Sequence, residues 1–78
     1  MYYTYVLLSK KDGNHYIGFC GDLRSRIAEH EAGNVQATRH RLPVELVYYE
    51  ACSSREKALL REKYFKTGFG KRFLKQRI

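Results

Sequence analysis

Runs of aromatic and β-branched residues alternate with turn-forming residues in the first part of the chain. Residues 2–8 form one such run, and residues 15–19 form a shorter one after the turn sequence Lys11-Asp12-Gly13-Asn14. Two strands joined by such a turn predict an antiparallel hairpin. Tyr5 and Tyr16 lie one on each strand, so the hairpin is expected to bring the two phenols near each other.

The middle of the chain has the signals of a helix, a loop and a third strand. Asp22 is a suitable N-cap and Gly33-Asn34 a suitable stop, which predicts a helix over residues 23–32. The polar residues 35–43 predict a loop. Residues 44–49 (Val-Glu-Leu-Val-Tyr-Tyr) have the composition of a strand.

The last third of the chain predicts two more helical segments. Ser53 followed by Glu56 has the spacing of a capping box, so a second helix is expected to begin there. Gly68 and Gly70 are expected to break it, and residues 71–77 predict a short, very basic final helix or tail. The order β-β-α-β-α-(α) predicts an α+β fold with a three-stranded, mostly antiparallel sheet flanked by helices.

A chain of 78 residues predicts one domain, residues 1–78, with a small core. The two cysteines, Cys20 and Cys52, lack the spacing of a metal-binding pair and are expected to be reduced thiols. No apolar run approaches the length of a membrane span, and the N-terminus does not have the pattern of a signal peptide. These features predict a cytoplasmic protein that does not bind membranes.

Positive charge is concentrated near the C-terminus. Residues 1–53 carry six Lys/Arg and six Asp/Glu, whereas residues 54–78 carry nine Lys/Arg and two acids. Such an asymmetric surface attracts polyanions, of which nucleic acid is the commonest. A solvated, solubilising helix face is the alternative. We predict nucleic-acid contacts from six basic residues: Arg24, Arg61, Lys66, Lys71, Arg72 and Lys75.

Three polar residues are expected at the edge of the core. Arg26 and His30 are one turn apart on the first predicted helix, so they share a face. A snorkelling arginine and a packing histidine are the structural alternative. Glu62 lies near the apolar stripe that contains Ala58 and Phe65. A carboxylate there is costly unless it is protonated, paired with a neighbour such as Arg26, or bound to a metal.

These residues together resemble a GIY-YIG domain, the nuclease module of homing endonucleases and of some restriction and repair enzymes. Tyr16-Ile17-Gly18 matches the second half of the signature, and Tyr3-Thr4-Tyr5 aligns with the first half. Arg26 and His30 match the family's helical arginine and its His/Tyr partner, and residues 58–62 resemble the stretch that ends in the metal-binding glutamate. The ending Lys-Thr-Gly-Phe-Gly-Lys-Arg-Phe-Leu is similar to that of minimal single-domain, UPF0213-type members.

The resemblance implies a divalent-metal-dependent DNA endonuclease, used in repair or recombination, whose substrate is structure-dependent or weakly specific DNA. It implies that Glu62 holds one Mg²⁺ or Mn²⁺ and that Arg26 stabilises charge on the phosphate. Tyr5 or Tyr16 would be the general base, with its pKa lowered by the arginine and the metal, and His30 is a competing base. A protein partner that supplies targeting is a further expectation. The alternative is a non-catalytic module that binds nucleic acid through its basic last third.

Overall fold

The computed structural model describes residues 1–78, which fold into three strands and three helices. No helix in it combines the length and the apolar character needed to cross a membrane. The strands are β1 (Tyr2–Ser9), β2 (His15–Cys20) and β3 (Val44–Cys52), and the helices are α1 (Leu23–Glu31), α2 (Arg55–Phe65) and α3 (Gly68–Lys75). This is the predicted α+β fold and element order.

The sheet has the order β2-β1-β3, and both pairings of the central strand are antiparallel. Gly13 in the hairpin turn has φ of +74°, a backbone conformation that favours glycine. The register pairs Tyr5 with Gly18 and Leu7 with Tyr16. Tyr5 and Tyr16 are therefore diagonal neighbours on one face of the sheet, as the hairpin predicted.

Two apolar clusters pack on opposite faces of the sheet, because consecutive strand residues point to opposite sides. Tyr5 and Leu7 belong to the cluster that α1 covers. Val6 belongs to the other cluster, together with Phe65 of α2 and Leu74 of α3. The central strand thus anchors both layers of helices, and α1 lies on the opposite side of the sheet from α2 and α3.

The predicted end of β3, residue 49, and the predicted start of α2 were both wrong. The capping box at Ser53 does not form, because β3 continues to Cys52 and Ser54 is the residue that caps α2, its side chain accepting a hydrogen bond from the Lys57 amide. Glu56 is then the second helical residue rather than the third, which is too early for a capping box. The predicted loop also contains a short 3-10 helix, Arg39–Arg41.

The predicted break at the glycines was wrong as well, because α3 begins at Gly68 and includes Gly70. Thr67 caps this helix by accepting a hydrogen bond from the Gly70 amide. A Cβ atom on Gly70 would overlap the carbonyl of Tyr64 and the Cα of Phe65. Glycine therefore lets α3 touch the backbone of α2, and the chain turns at residues 66–67.

Gly70→Ala is expected to lower the free energy of unfolding by about 3 kcal/mol, because the new methyl group meets backbone atoms rather than a movable side chain. This cost exceeds the gain of about 1 kcal/mol in helix propensity. Chemical denaturation measures the change. Gly68→Ala is the matched control, since nothing lies within 4 Å of its Cβ position. Equal stability of the two variants would contradict the close packing of α3 on α2.

Candidate active site

A buried chain of hydrogen bonds joins three elements of the fold. The hydroxyl of Tyr5 lies 2.8 Å from Nε2 of His30, and Nδ1 of the same ring lies 2.7 Å from Oγ1 of Thr38. His30 and Thr38 are 0% exposed, and Tyr5 is 1% exposed. Both ring nitrogens of the histidine are therefore satisfied, and the imidazole is fixed in place. His30 lies inside the core rather than at its expected edge.

Local sequence explains how the chain of hydrogen bonds assembles. Tyr5 lies in the central strand on the face that α1 covers, and His30 lies in the last turn of α1. Thr38 precedes the 3-10 helix. Opposite Tyr5 on β2 is Gly18, where a Cβ atom would overlap the ring and hydroxyl of Tyr5. The glycine of the Tyr-Ile-Gly motif thus makes room for the buried phenol.

Burial raises the pKa of Tyr5 to about 12, although the neighbouring Arg26 guanidinium acts in the opposite direction. Without a metal ion, the arginine alone does not lower this pKa, so the expected contribution of a metal and the choice between Tyr5 and Tyr16 as the base stay predictions. Desolvation outweighs the arginine charge, because the phenolate would be buried. Tyr5 therefore keeps its proton at neutral pH, and its hydroxyl can donate a hydrogen bond to Nε2 of His30.

Tyr16 is the more accessible of the two tyrosines. Its ring centroid lies 6.5 Å from that of Tyr5 and 5.3 Å from that of His30, and its side chain is half-buried. It therefore covers the buried hydrogen bonds while keeping part of its own surface in solvent. Tyr16, rather than Tyr5, is placed to meet a ligand.

Arg26 lies beside the Tyr5 hydroxyl, and this phenol raises the pKa of the guanidinium. The Arg26 side chain is 36% exposed and makes a 3.4 Å ion pair with Glu29 on the same helix. The alternative ion pair with Glu62 does not form. Arg26 thus carries a partly solvated positive charge at the entrance to the buried cluster, where an anion can reach it.

Glu62 lies on α2, which packs against β1 and β2. Its side chain is 22% exposed, and its nearest cation is Lys66, one turn later at 3.7 Å. No group of three or more His, Cys, Asp or Glu side chains is arranged to hold a metal. Mg²⁺ usually binds proteins through one or two carboxylates and fills its other positions with water and phosphate oxygens. A single partly exposed glutamate fits such an ion.

Among the predicted DNA contacts, Arg61 has a different environment. Its guanidinium makes two hydrogen bonds to the Glu50 carboxylate, at 2.8 and 3.0 Å, and lies over the rings of Tyr64, Phe65 and Phe73. These contacts tie α2 to β3 and α3, so Arg61 has a structural role, and its contact with DNA stays a prediction. The other five predicted residues are exposed: Arg24, Lys66, Lys71, Arg72 and Lys75.

Thr38 is the site residue that sequence reasoning missed. It stands in a segment interpreted only as a polar loop, yet it is fully buried and is the Nδ1 partner of His30. The only available signal was a short hydroxyl side chain eight residues after a helical histidine, a pattern too common to identify a contact.

Burial and, secondarily, the charge of Arg26 lower the pKa of His30 from its ordinary value of 6.5. As the pH falls through 6.5, the unfolded chain therefore binds a proton that the folded protein does not. We expect the free energy of unfolding to fall with the pH in this range, and His30→Gln to remove that part of the dependence. The ring proton shifts of His30 in NMR spectra give the folded midpoint, and a midpoint above 6.5 would contradict this assignment.

The fold and the site define a catalytic domain of known type. The family model for the GIY-YIG catalytic domain matches residues 1–76. The chain belongs to the GIY-YIG family, as the tyrosine, arginine and glutamate motifs predicted.

Within this family, the chain is similar to proteins named UPF0213. It is 45% identical to a UPF0213 protein of Streptococcus pneumoniae strain R6 over 65 residues, which are 82% of this chain and 65% of the relative. It is 46% identical to a UPF0213 protein of Lacticaseibacillus paracasei over 66 residues, 83% of this chain and 73% of the relative. The matched region is thus about two thirds to three quarters of these relatives' length.

A solved structure of a UPF0213 protein has a fold similar to that of this chain. The solution NMR structure of the UPF0213 protein BH0048 from Bacillus halodurans superimposes with a TM-score of 0.60 at 35% sequence identity. The alignment covers 97% of this chain and 84% of the Bacillus chain.

Proposed function

We propose that this protein is a divalent-metal-dependent endonuclease that hydrolyses phosphodiester bonds in DNA. The GIY-YIG catalytic domain suggests a nuclease, and a nuclease of this family implies DNA as the substrate. The observation that carries the proposal is the grouping of Arg26 and Tyr16 around the buried pair Tyr5 and His30. The positive guanidinium of Arg26 lies beside one partly exposed phenol, Tyr16, and one buried phenol, Tyr5. This arrangement suits a reaction in which negative charge gathers on a phosphate.

Each residue has a role in this proposal. Arg26 binds a non-bridging oxygen of the scissile phosphate and stabilises the charge that develops there. Tyr16 orients the attacking water and, after its own hydroxyl proton has passed to solvent, accepts the proton of that water, because it has the exposure that Tyr5 lacks. Tyr5 and His30 hold Tyr16 and Arg26 in position. A metal ion bound at Glu62 would supply Lewis-acid stabilisation of the phosphate and the leaving oxygen.

The proposal is tested with purified protein and labelled DNAs in duplex, single-strand, flap, bubble and branched forms. Each substrate is incubated with Mg²⁺, with Mn²⁺ and with a chelator, beside an Arg26→Ala preparation that controls for copurifying nucleases. We expect metal-dependent cleavage by the wild-type protein alone. Cleavage of branched or flap DNA would favour a role in repair or recombination. Salt-sensitive binding without cleavage of any substrate would favour the non-catalytic binding module.

A further inference from the structure

The segment that follows α1 holds the side chain of Thr38 in a fixed position. The Thr38 amide donates a 3.1 Å hydrogen bond to the carbonyl of Val35, and the Thr38 carbonyl accepts a 2.8 Å hydrogen bond from the Arg41 amide. The Arg41 carbonyl in turn accepts a 2.6 Å hydrogen bond from the hydroxyl of Ser9, at the end of the central strand. Because the backbone is tied on both sides and a β-branched side chain has few rotamers, the Thr38 hydroxyl has little freedom.

Packing alone does not account for a threonine at this position. The side chain is fully buried, and its hydroxyl has one partner, Nδ1 of His30, at 2.7 Å. A buried hydroxyl is costly unless it is hydrogen-bonded, and valine would fill nearly the same volume without that cost. The polar atom of Thr38 therefore acts on the imidazole of His30.

The proton on the His30 ring has a preferred place. His30 has a lowered pKa and is neutral at neutral pH, so its ring carries one N–H and one bare nitrogen. Nε2 lies 2.8 Å from the Tyr5 hydroxyl, and the Arg26 guanidinium lies beside the same phenol. A guanidinium has only donors, so the phenol oxygen accepts from Arg26 and donates its own proton to Nε2. The ring proton is then on Nδ1, which donates it in a hydrogen bond to Oγ1 of Thr38.

The positive charge of Arg26 disfavours the opposite direction. Either direction leaves one hydroxyl proton without an acceptor, that of Thr38 or that of Tyr5. Only the reverse direction also places two donors, Nε2–H and the guanidinium, on one phenol oxygen and points the ring N–H toward the cation. The hydrogen bonds therefore run from Arg26 through Tyr5 and His30 to Thr38.

We infer that Thr38 is a positioning residue of the proposed active site. By accepting the Nδ1 proton, it holds His30 in the tautomer whose bare Nε2 accepts the Tyr5 hydroxyl. The lone pairs of that phenol are then left for Arg26, the side chain proposed to bind the scissile phosphate. The inference rests on the proposed nuclease function, because the orientation of Arg26 affects a rate only where Arg26 acts on a phosphate.

A pair of variants, Thr38→Val and Thr38→Ser, tests this role. Valine removes the hydroxyl and keeps the volume, whereas serine keeps the hydroxyl and removes a buried methyl group. We expect single-turnover cleavage by Thr38→Val to be about tenfold slower than by wild type, with DNA affinity within about twofold. Thr38→Ser should stay within about threefold in rate. If Thr38 only fills space, valine is the milder change, so a faster rate for Thr38→Val than for Thr38→Ser would overturn the inference.

Nitrogen-15 NMR of the His30 ring tests the inference without DNA, because the chemical shift distinguishes a protonated ring nitrogen from a bare one. At neutral pH we expect a protonated Nδ1 in wild type and in Thr38→Ser, and a ring proton moved to Nε2 in Thr38→Val. A wild-type ring protonated on Nε2 would overturn the inference, whether or not the variants fold. The expected tautomers without cleavage by any of these proteins would reject the nuclease proposal and retain the control of the ring by Thr38.

Discussion

Glu62→Gln is expected to reduce metal-dependent DNA cleavage by about 10³-fold or more, because the substitution removes the carboxylate that fits the metal ion. DNA binding should be retained or strengthened, since the variant loses one negative charge near the phosphate and frees Lys66 from its 3.7 Å contact. Single-turnover cleavage and anisotropy measure the two effects separately. A variant that binds DNA but does not cut it would support the assigned role of Glu62.

Glu56→Gln is the control for this experiment. Glu56 is exposed in the first turn of α2 and makes no ion pair, so its replacement changes the net charge equally without touching the site. Its cleavage rate should match that of wild type within about twofold, as for most surface changes. Cleavage by Glu62→Gln at the wild-type rate would reject the metal assignment.

Arg26→Ala is the variant with the second large expected effect. Its cleavage rate should be lower than that of wild type by about 10²–10³-fold. In the proposed reaction, Arg26 binds the phosphate most strongly as negative charge accumulates on it, so the loss should fall on kcat more than on KM. Its ion pair with Glu29 is half-exposed, so the free energy of unfolding should change by only about 1 kcal/mol. Rapid-quench cleavage and chemical denaturation measure the two quantities.

Arg24→Ala is the control that separates the specific role of Arg26 from the general effect of losing one positive charge on α1. Arg24 is exposed and lies two residues earlier on α1, about 200° away around the helix axis. Loss of this arginine should weaken binding modestly and leave kcat near wild type. A larger loss of kcat in Arg24→Ala than in Arg26→Ala would move the phosphate contact to the other face of α1.

Local chemistry explains which parts of the fold were predictable from the sequence. The strands were predicted because their aromatic and β-branched residues stand between strong turn signals such as Gly13. Asp22 could be predicted as a cap because capping is a local contact. Its side chain accepts a hydrogen bond from the Ser25 amide, three residues later. Ser53 was chosen over Ser54 because only Ser53 has a glutamate, Glu56, at the spacing of a capping box. The length of β3, which continues to Cys52, makes Ser54 the cap instead.

The remaining features depend on contacts between distant segments. The sequence predicts that Gly70 breaks a helix. Gly70 instead lies inside α3, where the backbone of α2 leaves no space for a Cβ atom. Arg61 was predicted only as a DNA contact, and the sequence did not indicate that Glu50 from β3, eleven residues earlier, accepts its hydrogen bonds. The pKa of Tyr5 depends on how deeply the phenol is buried, which no local pattern specifies. The motif identified the correct family, but three-dimensional packing decides which of the motif residues meets solvent.

The two faces of the sheet carry different parts of the proposed site. Tyr5 and Val6 are neighbours in the chain, but one belongs to the cluster under α1 and the other to the cluster under α2 and α3. Arg26 and His30 occupy the first layer, whereas Lys66 and Lys71 occupy the second. Because Glu62 also lies in the second layer, the proposed catalytic residues are divided between the two layers, and the central strand that both layers pack on sets their relative position.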